Sequence, residues 1–191
     1  MNRQVILAST SPRRKQLLEL LRVKFKAVDP GYEEIMDQKM RHEDLVKFLA
    51  LGKAQAAAKK YPNAVIIAAD TVVSFNGKAI GKPKNKAVAE KMLKSLGAKS
   101  HYIISAVAVL DSKTKQVFVA ADKIKIYFRK LSSADIKNYI ATGEPMDRAG
   151  AYAFQGLGFN FVEKLEGDIT TAVGMPMELV YNFLQKLGVK F

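Results

Sequence analysis

The sequence predicts an α/β fold with a mixed sheet, arranged as two lobes around a central cleft. Three observations predict it. Short apolar runs interleave with helical stretches along the chain. Turn signals join neighbouring strand-like runs into hairpins, so the sheet cannot be purely parallel. No repeat, linker or low-complexity block interrupts the pattern. At 191 residues, and about 150 per domain, the chain is read as one domain spanning 1–191.

Val5-Ile6-Leu7-Ala8 is an apolar run and reads as a buried strand. Ser11 and Pro12 stand where a helix start wants them: Ser11 can cap, and Pro12 lacks an N–H that would be unpaired there anyway. Leu17, Leu18 and Leu21 share a face, so 12–22 reads as an amphipathic helix. Phe25 to Val28 reads as a second strand, and 29–42 as a loop with a short helix. Residues 43–60 read as a helix with Leu45, Leu49 and Ala56 on one face. Ala64 to Ala69 is an apolar strand running into Asp70, Thr71 to Phe75 continues extended, and Asn76-Gly77 is a two-residue hairpin signal. Asn85 can cap a helix over 86–96, where Ala89, Met92, Leu93 and Leu96 fall on one face. Three strand-like runs follow, Tyr102–Leu110, Gln116–Ala121 and Lys123–Leu131, the first two joined by a turn at Asp111–Thr114. Ser132 to Ala141 reads as a helix stopped at Gly143, Phe159 to Leu165 as a strand, and Met177 to Leu187 as a closing helix.

Composition excludes several classes. Apolar residues make up 49% and charged ones 26%, enough to bury a core and unlike a disordered chain. There is no cysteine, which removes disulfides, thiolate metal sites and cysteine nucleophiles. His42 and His101 are the only histidines and form no local metal-ligand pattern. No apolar stretch reaches the ~20 residues that span a bilayer, and the N-terminus lacks a signal-peptide core; a cytoplasmic protein with no membrane partner is expected. The net charge is +13, and residues 71–130, with 13 basic and 3 acidic side chains, hold +10 of it. Both a phosphate-bearing partner and a solvated lysine surface account for that excess. Residues 78–99 contain seven lysines but no aromatic, which argues against a nucleic-acid groove.

Four segments carry candidate chemistry. Leu7-Ala8-Ser9-Thr10-Ser11-Pro12-Arg13-Arg14 delivers a small polar loop and two arginines to a helix N-terminus, whose N–H groups and dipole attract anions. Ala68-Ala69-Asp70-Thr71 ends an apolar strand on a carboxylate, which is costly to bury unless it pairs, binds metal or faces a cleft. Gly77-Lys78-Ala79-Ile80-Gly81-Lys82-Pro83 fixes the backbone around Lys82. Alone, Lys82 and the helix-borne Lys53 read as solvent-exposed lysines. The stretch from Gly143 to Gly158 holds four glycines, with Gln155 between Phe154 and Gly156, and lets backbone approach a ligand closely. Dinucleotide, P-loop and serine-hydrolase signatures are absent.

Together these segments resemble the Maf family of nucleotide pyrophosphatases. The resemblance lies in LASTSPRRKQLLELL at 7–21, LALGKAQA at 49–56, AADTVVSFNGKAIGKP at 68–83, GEPMDRAGAYAFQGLGFNFVEKLEG at 143–167 and VGMPM at 173–177. It implies a strongly twisted sheet around a nucleotide-binding cleft, of the Maf and ITPase type. It also implies hydrolysis of nucleoside triphosphates to monophosphate and pyrophosphate with Mg²⁺ or Mn²⁺, by a homodimer. The family aspartate falls on Asp70, as proton acceptor and metal neighbour, and the loop glutamate on Glu34, with Glu33 beside it. Ser9, Arg13 and Arg14 fall in the substrate-binding loop, phosphate-binding lysines on Lys53 and Lys82, and substrate-selecting positions on Arg13, Thr71 and Gln155. The DTVV stretch resembles the subgroup acting on dTTP, UTP or CTP; the alternatives are a 7-methyl-GTP pyrophosphatase and a non-catalytic nucleotide- or nucleic-acid-binding regulator of division. Arg148 replaces a usual lysine, Gly97-Ala98 a usual Ser-Gly, and Gly81 a frequent glutamate.

Overall fold

Two βα units at the start of the chain fix the direction of the sheet. A computed structural model describes residues 3–33 and 40–190. Strand β1 (Gln4–Ala8) leads through helix α1 (Pro12–Glu19) to β2 (Phe25–Val28), and helix α2 (His42–Lys60) leads to β3 (Ala64–Phe75). β1 pairs in parallel with β2 on one side and β3 on the other. The connections β1-α1-β2 and β2-α2-β3 cross the sheet in opposite directions, which under the right-handed rule for parallel strands puts α1 and α2 on opposite faces.

The remaining elements make the sheet mixed. Asn76 and Gly77 both adopt positive φ, 49° and 73°, and turn β3 into the antiparallel β4 (Lys78–Ile80). Helix α3 (Lys86–Leu96) starts at Asn85, whose side chain accepts the Val88 N–H at 2.9 Å. Then come β5 (Ser100–Asp111), β6 (Val117–Phe128) and α4 (Ser133–Ala141), the last opened by a capping box between Ser132 and Asp135. Strand β7 (Val162–Glu166) pairs antiparallel with β6, and α5 (Ile169–Val173) and α6 (Met177–Lys186) close the described chain. Among the described residues seven strands form the sheet, in the order β2-β1-β3-β5-β6-β7, with β4 beside β3. No helix among the described residues is long and apolar enough to cross a membrane.

Several expectations need correction. α1 ends at Glu19 rather than at 22, and Ser11 makes no side-chain cap; its N–H instead donates to Ser9 Oγ at 3.2 Å. The loop serine thus organises the helix entrance, while Pro12 removes one of the N–H groups a cap would serve. In α2 the buried stripe runs through Ala57, with Ala56 only half-buried. β6 is one strand across Asp122, where two were expected: a polar pair on a half-exposed face does not stop a sheet that stays paired. Residues Leu157–Phe161 form a 3-10 turn rather than the start of a strand, because the Glu144 carboxylate holds the N–H groups of Leu157 and Gly158. The short helix expected within 29–42 falls largely on residues outside those described.

The chain divides into two compact units, the first formed by 1–71, 105–122 and 173–191 and the second by 72–104 and 123–172. In the first, Ile6, Leu7, Leu18, Leu49, Ile66 and Ile67 are fully buried between helix and strand. In the second, Leu93 and Leu96 of α3 and Ile136 and Tyr139 of α4 pack on Ile124, Ile126 and Phe128 of β6. His101 is buried there, edge-on to Phe128 and Tyr152, with Nε2 2.7 Å from the Tyr152 hydroxyl. Burial pulls its imidazole from an ordinary 6.5 down to about 4.

Between those values the unfolded chain binds the proton and the folded one does not, so stability falls as pH drops from 6.5 toward 4. Urea unfolding at pH 7 and pH 5 should show a loss of about 2 kcal/mol that His101→Gln no longer shows. An equal loss in the variant would mean that other groups carry the dependence.

Candidate active site

Lys53 lies on the buried stripe of α2, with Val46, Leu49, Ala50 and Ala57. Its side chain therefore points where a core residue would, and Lys53 and Asp70 are only 8% and 7% exposed. Lys53 Nζ meets Asp70 Oδ1 at 2.6 Å, so the ammonium and carboxylate offset each other's loss of hydration. Solvent exposure, the ordinary fate of a helical lysine, is not what Lys53 has. The signal lay in the sequence: a lysine at i, i+3, i+4 and i+7 from apolar neighbours.

Neighbouring residues of a strand point to opposite faces. Asp70 accordingly meets α2, and Thr71 meets α1 on the other side of β3. Arg14 donates through Nε to the Gly174 carbonyl at 2.9 Å and through Nη2 to Thr71 Oγ1 at 3.3 Å. Thr71 Oγ1 also lies 3.3 Å from the Gly174 carbonyl and 2.8 Å from Ser105 Oγ. Gly174 has a φ of +115°, and a Cβ there would lie 3.2 Å from Thr71 Oγ1, so glycine suits this close approach. Ser105 drew no attention in the sequence, since a serine inside an apolar strand has no local pattern; Gly174 entered only as part of VGMPM.

Other predicted site residues lie on loops and helix starts of the first unit. Ser9 follows β1 and is buried; Arg13, in the first turn of α1, is half-buried. Tyr32 lies against α2 at Gly52, one residue before Lys53: a Cβ on Gly52 would come within 2.4 Å of Tyr32 Cζ. Glu33 is exposed, and Glu34 lies outside the described residues.

In the second unit Lys82 Nζ meets Asp147 Oδ1 at 2.5 Å, with the side chains 64% and 76% exposed. Such a pair contributes little and is open to exchange with another anion. The Gly150 N–H donates to the Gly81 carbonyl at 3.1 Å, tying the Lys82 loop to the segment of Asp147 and Arg148. A Cβ on Gly81 would meet nothing within 4 Å, so this position has room for a side chain. Gln155 is exposed. The turn that follows it is held by Glu144, whose carboxylate accepts from the Tyr139 hydroxyl at 2.8 Å, Gly158 N–H at 3.1 Å and Leu157 N–H at 3.2 Å. Burial opposes the charge of Glu144, but those donors and nearby Arg148 outweigh it and hold its carboxyl below the usual 4.5. A Cβ on Gly156 would come within 2.6 Å of that carboxylate, which explains the glycine after Gln155.

These parts define an α/β protein with a buried carboxylate–ammonium pair and cationic loops suited to phosphate groups. The chain belongs to the family of Maf-like proteins, whose sequence model matches residues 4–187. It is 44% identical over 189 residues to the dTTP/UTP pyrophosphatase of Dictyoglomus thermophilum, covering 98% of each chain. It is 41% identical over 186 residues to the dTTP/UTP pyrophosphatase of a Geobacillus species, covering 97% of this chain and 99% of that one. The solved structure of the Staphylococcus aureus Ham1 protein shares the fold, with a TM-score of 0.57, 15% identity, and coverage of 98% of this chain and 100% of that one.

The seating of Tyr32 on Gly52 can be measured directly. Gly52→Ala should gain less in urea unfolding than the roughly 0.5–1 kcal/mol that alanine brings to a helix interior, because its Cβ displaces the Tyr32 ring. In a Tyr32→Ala background the same substitution should gain that full amount. A gain no larger without Tyr32 than with it would show that Gly52 answers to some other neighbour.

Proposed function

We propose that the protein hydrolyses nucleoside triphosphates, dTTP and UTP foremost, to the monophosphate and pyrophosphate. The observation that carries the reading is the buried Lys53–Asp70 pair, in a chain so closely similar to proteins named dTTP/UTP pyrophosphatase. A fully ionised triphosphate carries about four negative charges, so its site needs several cations. Arg13, Arg14, Lys53 and Lys82 are the candidates to supply them.

Asp70 is the group to take a proton from the attacking water, and Lys53 fixes the orientation of its carboxylate. Attack at the α-phosphorus expels pyrophosphate. Among the described residues no three His, Cys, Asp or Glu side chains cluster as a metal cage. Mg²⁺ does not require one, since it is commonly held by one or two carboxylates plus substrate phosphates. Asp70 fits that role, and Glu34 is the second carboxylate we assign to it. When bound, a divalent ion would neutralise phosphate charge and favour the ionised form of water.

Arg13, Thr71 and Gln155 are assigned to substrate selection. A glutamine amide donates and accepts at once, which matches the N–H and carbonyl edge of a pyrimidine. Cytoplasm, the compartment of the nucleotide pool, is the setting we assign.

Incubation with Mg²⁺ and dTTP or UTP should give monophosphate and pyrophosphate by phosphorus NMR. Diphosphate with orthophosphate would contradict the reading. Asp70→Asn should lower the rate by roughly 10²–10⁴-fold, the usual contribution of a general base. A variant that keeps more than about a tenth of the rate would remove Asp70 from this role.

A further inference from the structure

Ser105 sits on β5 with no exposed surface, and its hydroxyl lies 2.8 Å from Thr71 Oγ1. Thr71 Oγ1 is the centre of a network drawn from four parts of the chain. Arg14 Nη2 from α1 donates to it at 3.3 Å, the Gly174 carbonyl lies 3.3 Å away, and Ser105 supplies the shortest contact. The Gly174 carbonyl in turn accepts Arg14 Nε at 2.9 Å. A threonine hydroxyl has one proton to give and two lone pairs to accept with. It receives one bond from Arg14, so where its own proton points is set by whether Ser105 donates or accepts. Buried hydroxyl networks of this kind fix one rotamer of each member; without Ser105 the Thr71 proton has only the longer contact to the Gly174 carbonyl, 3.3 Å against 2.8 Å.

We propose that Ser105 is a positioning residue for substrate selection: its hydroxyl fixes the Thr71 side chain, and through Thr71 the Arg14 guanidinium. The inference rests on the reading that Thr71 helps to select the substrate, and adds a residue that reaches the substrate only through another. Ser105 acts on the α1 side of β3, whereas the Lys53–Asp70 pair lies on the α2 side. Loss of the Ser105 hydroxyl therefore changes discrimination between triphosphates more than it changes the rate of the hydrolytic step.

The test is a double-mutant cycle of Ser105→Ala and Thr71→Val, with kcat/KM measured for dTTP, UTP, CTP and 7-methyl-GTP in all four proteins. Ser105→Ala should shift the ratio between best and worst substrate roughly three- to tenfold, the effect of one hydrogen bond. In the Thr71→Val background it should shift that ratio no further, since the effect travels through the Thr71 hydroxyl. Ser105→Thr, which keeps a hydroxyl, should restore the wild-type ratio. Unchanged ratios in Ser105→Ala, or a shift of the same size with and without the Thr71 hydroxyl, would overturn the proposal. If Ser105→Ala does not fold, Ser105→Cys, with its weak S–H donor, takes its place under the same criteria. Wild-type pyrophosphate release from dTTP and UTP tests the functional reading, and the ratios among variants test Ser105, so the two fail separately.

Discussion

A lysine and an aspartate buried against each other constrain the first unit of this protein. Lys53 and Asp70 are 17 positions apart, on α2 and β3, and meet at 2.6 Å out of solvent. Removing either partner would leave an uncompensated buried charge, which costs roughly 3–5 kcal/mol. α2 must therefore dock on β3 in one register. Leu45, Leu49, Ala50 and Ala57 form the buried face of α2 on which Lys53 lies. The pair itself adds little net stability, since a well-packed apolar pair would serve as well. The role proposed for Asp70 accounts for a charged pair in this core: a carboxylate of fixed orientation in the middle of β3.

The two helices of the opening βα units divide the work around β3. α2 brings Lys53 to Asp70, and α1 brings Arg14 to Thr71. The division follows from two elementary rules, the right-handed crossover and the alternation of side chains along a strand. Arg14, expected at a phosphate, spends Nε and Nη2 on Gly174 and Thr71. It links the start of the chain to the turn between α5 and α6. In the second unit, Glu144 has an equivalent organising role, gathering three donors to shape the turn after Gln155.

Much of this was legible in the sequence. The apolar runs of β1 and β3, the Asn76-Gly77 turn, the Asn85 cap and the limits of α3, α4 and α6 lie close to where local rules put them. Asp70 stood out because it closes an apolar run, but it does not end the strand: β3 continues to Phe75, with Val72 and Val73 buried beyond it. What stayed hidden depends on tertiary partners. Ser105 is one polar residue in a buried strand, and its meaning comes from Thr71. The 3-10 turn at Leu157–Phe161 depends on a carboxylate 13 residues upstream. α5 was missed although Asp168 precedes it, accepting the Thr170 N–H at 2.9 Å; five residues give too little periodicity to read.

The central claim is that the buried pair serves catalysis rather than folding. It is tested most directly by replacing both charges at once, in Lys53→Met with Asp70→Asn, and measuring unfolding free energy and pyrophosphate release on the same preparation. The account predicts a folded protein whose stability lies within about 2 kcal/mol of wild type, because no unpaired charge remains buried, with hydrolysis lost. Hydrolysis within about tenfold of wild type in that variant would contradict it, since a general base contributes more than that.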